Sequence, residues 1–390
     1  MQALRFAVLF AISGIAVVQP QAPGDSPWQM QDSGTTAGLR GIDSVDGAVA
    51  WASGIGGTVL KTIDGGAHWQ KCTIPDAATD GATLDFRGVQ AWDAQTAIVM
   101  ASGPGDKSRL YKTTDGCKSW KLVFTNPDKV GFWDAIQFTF NPRQPPMEGF
   151  FNGGLLVGDP VGGKFPVFTT NDLGSTWHPL QLELRHPSDP AGPPVFARPD
   201  ETLFAASNTA ATSVADNSYF AFVTGGKGGA RLLFPKWHAY WGDYPGGWAT
   251  ITAVKLPIPS NNTSGAFSIA SRRLLSDRNR VDYMIVGGDY ENPRLGAAVF
   301  VRRGNALPYA TSFLDPRAVK TAHPPHGYRS SVQWSESLRL WITVGTNGSD
   351  ISRDDGITWQ PLDNGNWNAL SLPFVVGPNG RIARLNGNVR

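Results

Sequence analysis

The sequence predicts an all-β protein, a seven-bladed β-propeller of four-stranded antiparallel blades. Three observations carry that reading. Glycine (45), proline (29) and tryptophan (14) are abundant among the 390 residues while charged residues make up only 17%, the composition of many short strands joined by tight turns. A turn spelled Ser/Thr-x-Asp-x-Gly-x-x-Trp recurs along the chain. An apolar strand that ends in glycine recurs as well, at Gly54, Gly103, Gly158, Gly225, Gly287, Gly345 and Gly377, which makes seven units.

The turn is read first. It pairs Asp64 with Trp69, Asp115 with Trp120, Asp172 with Trp177 and Asp354 with Trp359, always at the same separation. Asp243 and Trp248 form a degenerate further copy. The aspartate can accept backbone N–H bonds across a tight hairpin, glycine takes the left-handed position, and tryptophan opens the next strand and buries against a neighbouring unit. These residues are structural. In the second copy Cys117 stands where the others have glycine, so strain is expected there.

The strands follow in order. Upstream of each glycine-ended strand lies a short one: "LRGID", "FRGVQ", "WDAIQF", "LFAAS", "FSIAS", "YRSSV" and "WNALS". Downstream lies a third, such as "TVLKT" or "RLYKT"; the Asp turn then leads into a fourth. The last unit ends after "RIARLN" without a fourth strand, and "PWQMQ" at Trp28 resembles the missing one. The N-terminal strand is therefore expected to close the ring, with residues 23–390 as one propeller domain.

Residues 1–22 carry Arg5 and an apolar run from Phe6 to Val18, too short to span a bilayer comfortably. They read as a signal peptide or an N-terminal anchor, and the chain as exported, periplasmic or extracellular. No other transmembrane span is expected. Export permits a disulfide between Cys72 and Cys117, although two separate thiols in neighbouring repeats is the plainer reading. The net charge of +2 lacks the basic excess that nucleic acid needs. No metal-ligand set or cofactor motif stands out: "HPPH" (His323, His326) has no carboxylate near it in sequence and reads as a spacer, and "GGKGGA" lacks the ending of a phosphate loop.

The turns match the Asp box, or BNR repeat, of sialidases and related propellers. The fuller spelling "LRGIDSVDGAVAWASGIGGTVLKTIDGGAHWQ" resembles the photosystem II stability/assembly factor family. That resemblance implies a seven-bladed ring, exported to the thylakoid lumen or periplasm, which assists assembly of a membrane complex and uses an arginine-rich surface for partner binding. It is strongest over 38–124 and 326–362 and weak over 181–325.

Candidate site residues come from phase in the ring. The first strand of each blade should line the central channel, and Arg40, Arg87 and Arg329 lie near the starts of three such strands, with Asp134 one further step on from Arg87. Converging at one channel mouth, the arginines would bind a carboxylate, phosphate or acidic peptide; the alternative is that each pairs with a local aspartate such as Asp43, Asp134 or Asp159. The aromatic stretch "FPKWHAYWGDYPGGW" offers Trp237, Tyr240 and Trp241 for stacking on sugars or anchoring a partner, or for packing a hairpin. The function read from these features is a non-enzymatic, monomeric binding or assembly-factor-like protein with a protein partner in the cell envelope, or an anionic ligand or glycan. The alternative is a sialidase-like glycoside hydrolase or carbohydrate binder, with the three arginines on a substrate carboxylate, Asp43 or Asp134 as acid and Tyr328 nearby; hydrolysis of that kind needs two placed carboxylates, and no pair stands out.

Overall fold

The computed structural model describes residues 26–74, 84–139, 153–180, 197–213, 220–238, 248–274, 277–303, 317–387 and 389. These form seven antiparallel sheets. Blade 1 comprises Leu39–Ser44, Ala50–Gly54, Val59–Thr62 and Gln70–Cys72, from the axis outward. Blade 2 comprises Phe86–Ala91, Ala97–Ala101, Arg109–Thr113 and Lys121–Thr125. Blade 3 follows with Trp133–Phe138, Gly154–Gly158, Val167–Thr170 and His178–Pro179. Blade 4 is built from Ala211–Ser213, Phe220–Val223, Arg231–His238 and Trp248–Lys255. Blade 5 has the long strands Ser264–Leu274 and Asp277–Asp289, then Gly296–Arg303 and Arg317–Lys320. Blade 6 holds Ser331–Ser335, Leu340–Gly345, Gly348–Ser352 and Gln360–Asp363. Blade 7 holds Ala369–Ser371, Phe374–Val376 and Ile382–Leu385, and Trp28–Gln31 completes it with Trp28 opposite Leu385.

The core lies between blades. Trp51 and Val59 of blade 1 pack with Phe86, Val99 and Tyr111 of blade 2. Each of the other seams has an equivalent apolar layer, around to Leu39 and Leu60 of blade 1 against Phe374 and Ile382 of blade 7. The recurring glycines have a steric cause: a Cβ at Gly158 would lie 2.1 Å from the Phe132 carbonyl oxygen, and one at Gly345 1.9 Å from that of Tyr328. Only glycine lets the second strand pass so close to the first.

In the Asp turns, the Thr62 hydroxyl donates to Asp64 Oδ1 (2.8 Å) and accepts from the Gly66 amide (2.9 Å), while Asp64 accepts from the His68 amide (3.0 Å). The turns at Thr113, Thr170 and Ser352 repeat the set. The tryptophans reach back to the preceding blade: Trp69 meets Phe374 at 5.7 Å and Trp120 meets Trp51 at 6.2 Å between ring centroids. Cys117 has φ +68°, the left-handed region that Gly66, Gly174 and Gly356 occupy in the other turns. Asp243 lies outside the described residues, and Trp248 begins the last strand of blade 4.

Two expectations are corrected here. Cys72 and Cys117 are disulfide-bonded, with Cα atoms 5.6 Å apart, because ring packing sets the end of blade 1 against the turn of blade 2. The stretch "LFAAS" (203–207) is not a strand; the innermost strand of blade 4 is Ala211–Ser213. Residues 1–22 lie outside the described residues, among which no helix is long and apolar enough to cross a membrane.

Candidate functional site

The innermost strands of blades 1, 2, 3 and 5 each slip register once near their start, between Leu39 and Gly41, Phe86 and Gly88, Trp133 and Ala135, and Ala266 and Ser268. A bulge of this kind leaves one residue out of the ladder and re-aims its side chain. The bulged residues are Arg40, Arg87, Asp134 and Phe267. They sit at one end of the channel.

Arg329 does not join them. Equivalent interblade bonds mark one level of the ring: Leu39 N to Gly377 O (3.0 Å), Arg329 N to Gly287 O (3.1 Å) and Trp367 N to Gly345 O (3.1 Å). Arg329 is thus in step with Leu39 and Trp367, and Ser330 and Asn368 are in step with Arg40. A shift of one residue along a strand turns the side chain to the other face. Arg329 is fully buried, with Nε 2.6 Å and Nη2 2.5 Å from Asp350 Oδ2, and Nη1 2.6 Å from Asn347 Oδ1. His326 Nδ1 lies 2.7 Å from the other oxygen of Asp350. Of the "HPPH" stretch, expected as a spacer, His326 is therefore tied half-buried to this cluster, whose carboxylate comes from a distant strand, while His323 is exposed.

A pocket of about 370 Å³ opens at the mouth, lined by Arg40, Arg87, Phe204, Phe267, Tyr290, Tyr328, Ser330 and Asn368 among others. The two guanidinium groups share one carboxylate: Arg87 Nε is 2.7 Å from Asp85 Oδ2, and Arg40 Nε is 4.0 Å from Asp85 Oδ1. Their side chains remain 28% and 35% exposed. Arg87 Nη1 also donates to the Ala205 carbonyl at 3.2 Å. The opposite wall is aromatic. Phe204 stacks on Phe267 at 4.0 Å, Phe267 meets Tyr328 edge-on at 4.8 Å, and Tyr290 stands 6.2 Å from both phenylalanines. Burial pushes the Tyr328 phenol pKa up, and the nearby charges of Arg40 and Arg87 oppose that rise.

Asp134 is only 1% exposed. Burial drives its pKa well above the usual carboxylate range, Asp159 adds to the rise, and Arg87 opposes it. Asp43 lies further down the same strand as Arg40, where it accepts a 2.7 Å bond from the Ala91 amide of the next blade. Burial raises its pKa to about 7. Trp237 is paired with Ala249 in the outer hairpin of blade 4, while Tyr240 and Trp241 lie outside the described residues. Among the described residues no group of three or more His, Cys, Asp or Glu is placed to hold a metal ion.

Sequence reasoning missed Phe267, although it follows Ala266 as Arg40 follows Leu39. It also missed Phe204 and Tyr290, whose roles depend on how connecting segments fold over the mouth.

Fold and mouth together define a seven-bladed propeller whose channel opens into a pocket with two arginines facing an aromatic wall. No family model matches the chain. Over 169 residues it is 27% identical to the photosystem II assembly lipoprotein Ycf48 of Synechococcus sp. (strain CC9902), a match that covers 43% of this chain and 44% of that protein. The match thus spans less than half of the relative's length. The structure of YCF48 from Cyanidioschyzon merolae superposes with a TM-score of 0.55 at 18% identity, covering 92% of this chain and 98% of that one. A structure of YCF48 bound to D1 peptide gives 0.53 at 15% identity, covering 93% and 98%. The chain is therefore similar in sequence to a photosystem II assembly factor and shares the propeller fold of YCF48.

Proposed function

We propose that the protein is an exported, non-enzymatic binding propeller of the assembly-factor kind, and that it holds a carboxylate-bearing segment of a protein partner at the channel mouth. One observation carries the reading: Arg40 and Arg87 converge on the single carboxylate of Asp85 while staying partly exposed beside an aromatic wall. Paired guanidinium groups match carboxylate geometry, and aromatic walls take the apolar body of a peptide. Similarity to Ycf48, together with a YCF48 structure that holds a D1 peptide, supports a peptide as the ligand. The glycosidase alternative is weakened by Asp134. A general acid must reach the leaving oxygen, and this carboxyl is almost wholly buried.

The test is fluorescence anisotropy with a fluorescein-labelled hexaglutamate peptide, with wild type beside an Arg40→Ala/Arg87→Ala variant. Loss of one charge-assisted contact is worth about 1.5–3 kcal/mol, so the variant should bind roughly 10- to 100-fold more weakly. Equal affinity for the two proteins rejects the site.

A further inference from the structure

In blades 1, 2, 3 and 5 the bulge at the channel mouth is a single residue. In blade 4 a whole segment takes its place. The short strand Glu201–Thr202 pairs with Gly225–Gly226, which joins the blade 5 sheet at Gly265, and pairing within blade 4 begins only at Ala211 opposite Phe222. The intervening chain crosses the mouth, and Phe204, Ala205 and Ala206 line the pocket.

Both ends of this strap are firmly held. At one end the Leu203 amide donates to Asp159 Oδ1 at 2.9 Å, and Glu201 is locked in a buried pair with Arg231. At the other end Asn208, with φ +66°, accepts from the Ile136 amide at 2.8 Å. The middle rests on the site itself. The Ala205 carbonyl accepts a hydrogen bond from Arg87, and Phe204 lies flat on Phe267. A three-residue turn, Ala206 N to Phe204 O at 2.8 Å, shapes this stretch.

We propose that Phe204–Ala206 is a built-in occupant of the site: its backbone carbonyl stands where a partner's carboxylate would bind Arg87, and binding displaces it. This rests on the binding reading given above. A carboxylate is the stronger acceptor for a guanidinium, so an acidic peptide can compete for Arg87, whereas a neutral peptide gains nothing over the carbonyl already there. The strap thus selects for charge, and its displacement lifts Phe204 off Phe267 and opens that face to the ligand.

The experiment is hydrogen–deuterium exchange on the full chain, with and without saturating hexaglutamate, followed over the peptide that contains Phe204–Ser207. Displacement predicts faster exchange in that stretch, by at least threefold, when the probe binds. Unchanged or slower exchange overturns the strap proposal, and it leaves the binding reading intact provided that Arg40→Ala/Arg87→Ala weakens binding by the roughly 10- to 100-fold expected above. If wild type does not bind the probe, Phe204→Ala decides. Binding by this variant alone, lost again when Arg87→Ala is added, supports a closed strap. Silence from both overturns the strap and the binding reading together. Equal binding by wild type and the double arginine variant also removes both.

Discussion

Blades 1 and 2 carry their arginines differently from blades 4 and 5. Arg40 and Arg87 stand on bulges, partly exposed, with one carboxylate between them. Arg231 and Arg272 lie inside the ring, each 6% exposed. Arg231 pairs with Glu201, and Arg272 pairs with Asp282 and Asp355 at 2.7 Å each while resting 4.5 Å from the Trp334 ring. Arg329 of blade 6 belongs with this second group. A buried arginine is tolerable only when a carboxylate and hydrogen bonds replace its lost water, so such residues act as struts. An arginine on a bulge keeps its hydration and part of its donor set, so it can meet a ligand. Register and local bulging set the difference.

The largest effect that tests this division is Arg329→Ala. It would leave Asp350 buried without its main partner, and we expect a loss of about 3–5 kcal/mol in chemical denaturation. Arg40→Ala/Arg87→Ala should cost less than about 1 kcal/mol, because these groups are partly hydrated. A double variant at the mouth that unfolds as easily as Arg329→Ala would erase the distinction between strut and site.

Next comes the disulfide, which ties the two blades that bear the mouth arginines and closes a separation of 45 residues. Such a link typically contributes about 2–4 kcal/mol by restricting the unfolded chain. Cys72→Ser should lower the denaturation midpoint accordingly, and reductant should lower that of wild type but not of the variant. No response to either would assign blade pairing to packing alone.

Asp43 gives a smaller effect that depends on pH. Its carboxyl ionises at about 7 in the folded protein against 3.8 ordinarily. Between those values the native state holds a proton that the unfolded chain has released. Stability from this group is therefore complete below about pH 4, falls as pH rises to about 7, and is level above. Full linkage over that interval would be worth about 4 kcal/mol, but Asp43 is only half-buried and solvent screens it, so Asp43→Asn should match wild type near pH 4 and exceed it at pH 8 by on the order of 1–2 kcal/mol. Parallel pH profiles for the two proteins would show that the carboxyl is solvated by the channel.

The smallest expected effect concerns the left-handed backbone at Cys117. With Cys72→Ser as background, Cys117→Gly should be more stable than Cys117→Ala by about 1 kcal/mol, because only glycine adopts φ +68° without cost. Equal midpoints would mean that the hydrogen bond from the Cys117 amide to Thr113 Oγ1 holds the turn whatever the side chain.

Much of the ring was legible because its signals are local. The Asp turn is a contact set within a few residues, so Asp64, Asp115, Asp172 and Asp354 mark their hairpins by spelling alone. The glycines that end the second strands answer to a clash with the strand beside them, and the orphan strand at Trp28 fits the unit that lacks one. Arg40 and Arg87 were legible as a pair because they share one spacing. Arg329 was misleading because its neighbour Ser330, not Arg329 itself, holds the equivalent position, and hydropathy does not mark that step.

From the sequence alone follow the repeat, the number of blades, the closing strand and the two mouth arginines, since each rests on spacing or turn chemistry inside one unit. Only the tertiary structure decided that Arg329 is a strut, that Cys72 reaches Cys117, that Asp350 finds His326, and that Phe204 and Phe267 wall the mouth. Those outcomes depend on contacts between blades. Closing the ring brings together residues far apart in the chain, and a bulge of one residue on an inner strand selects the side chain that faces the channel.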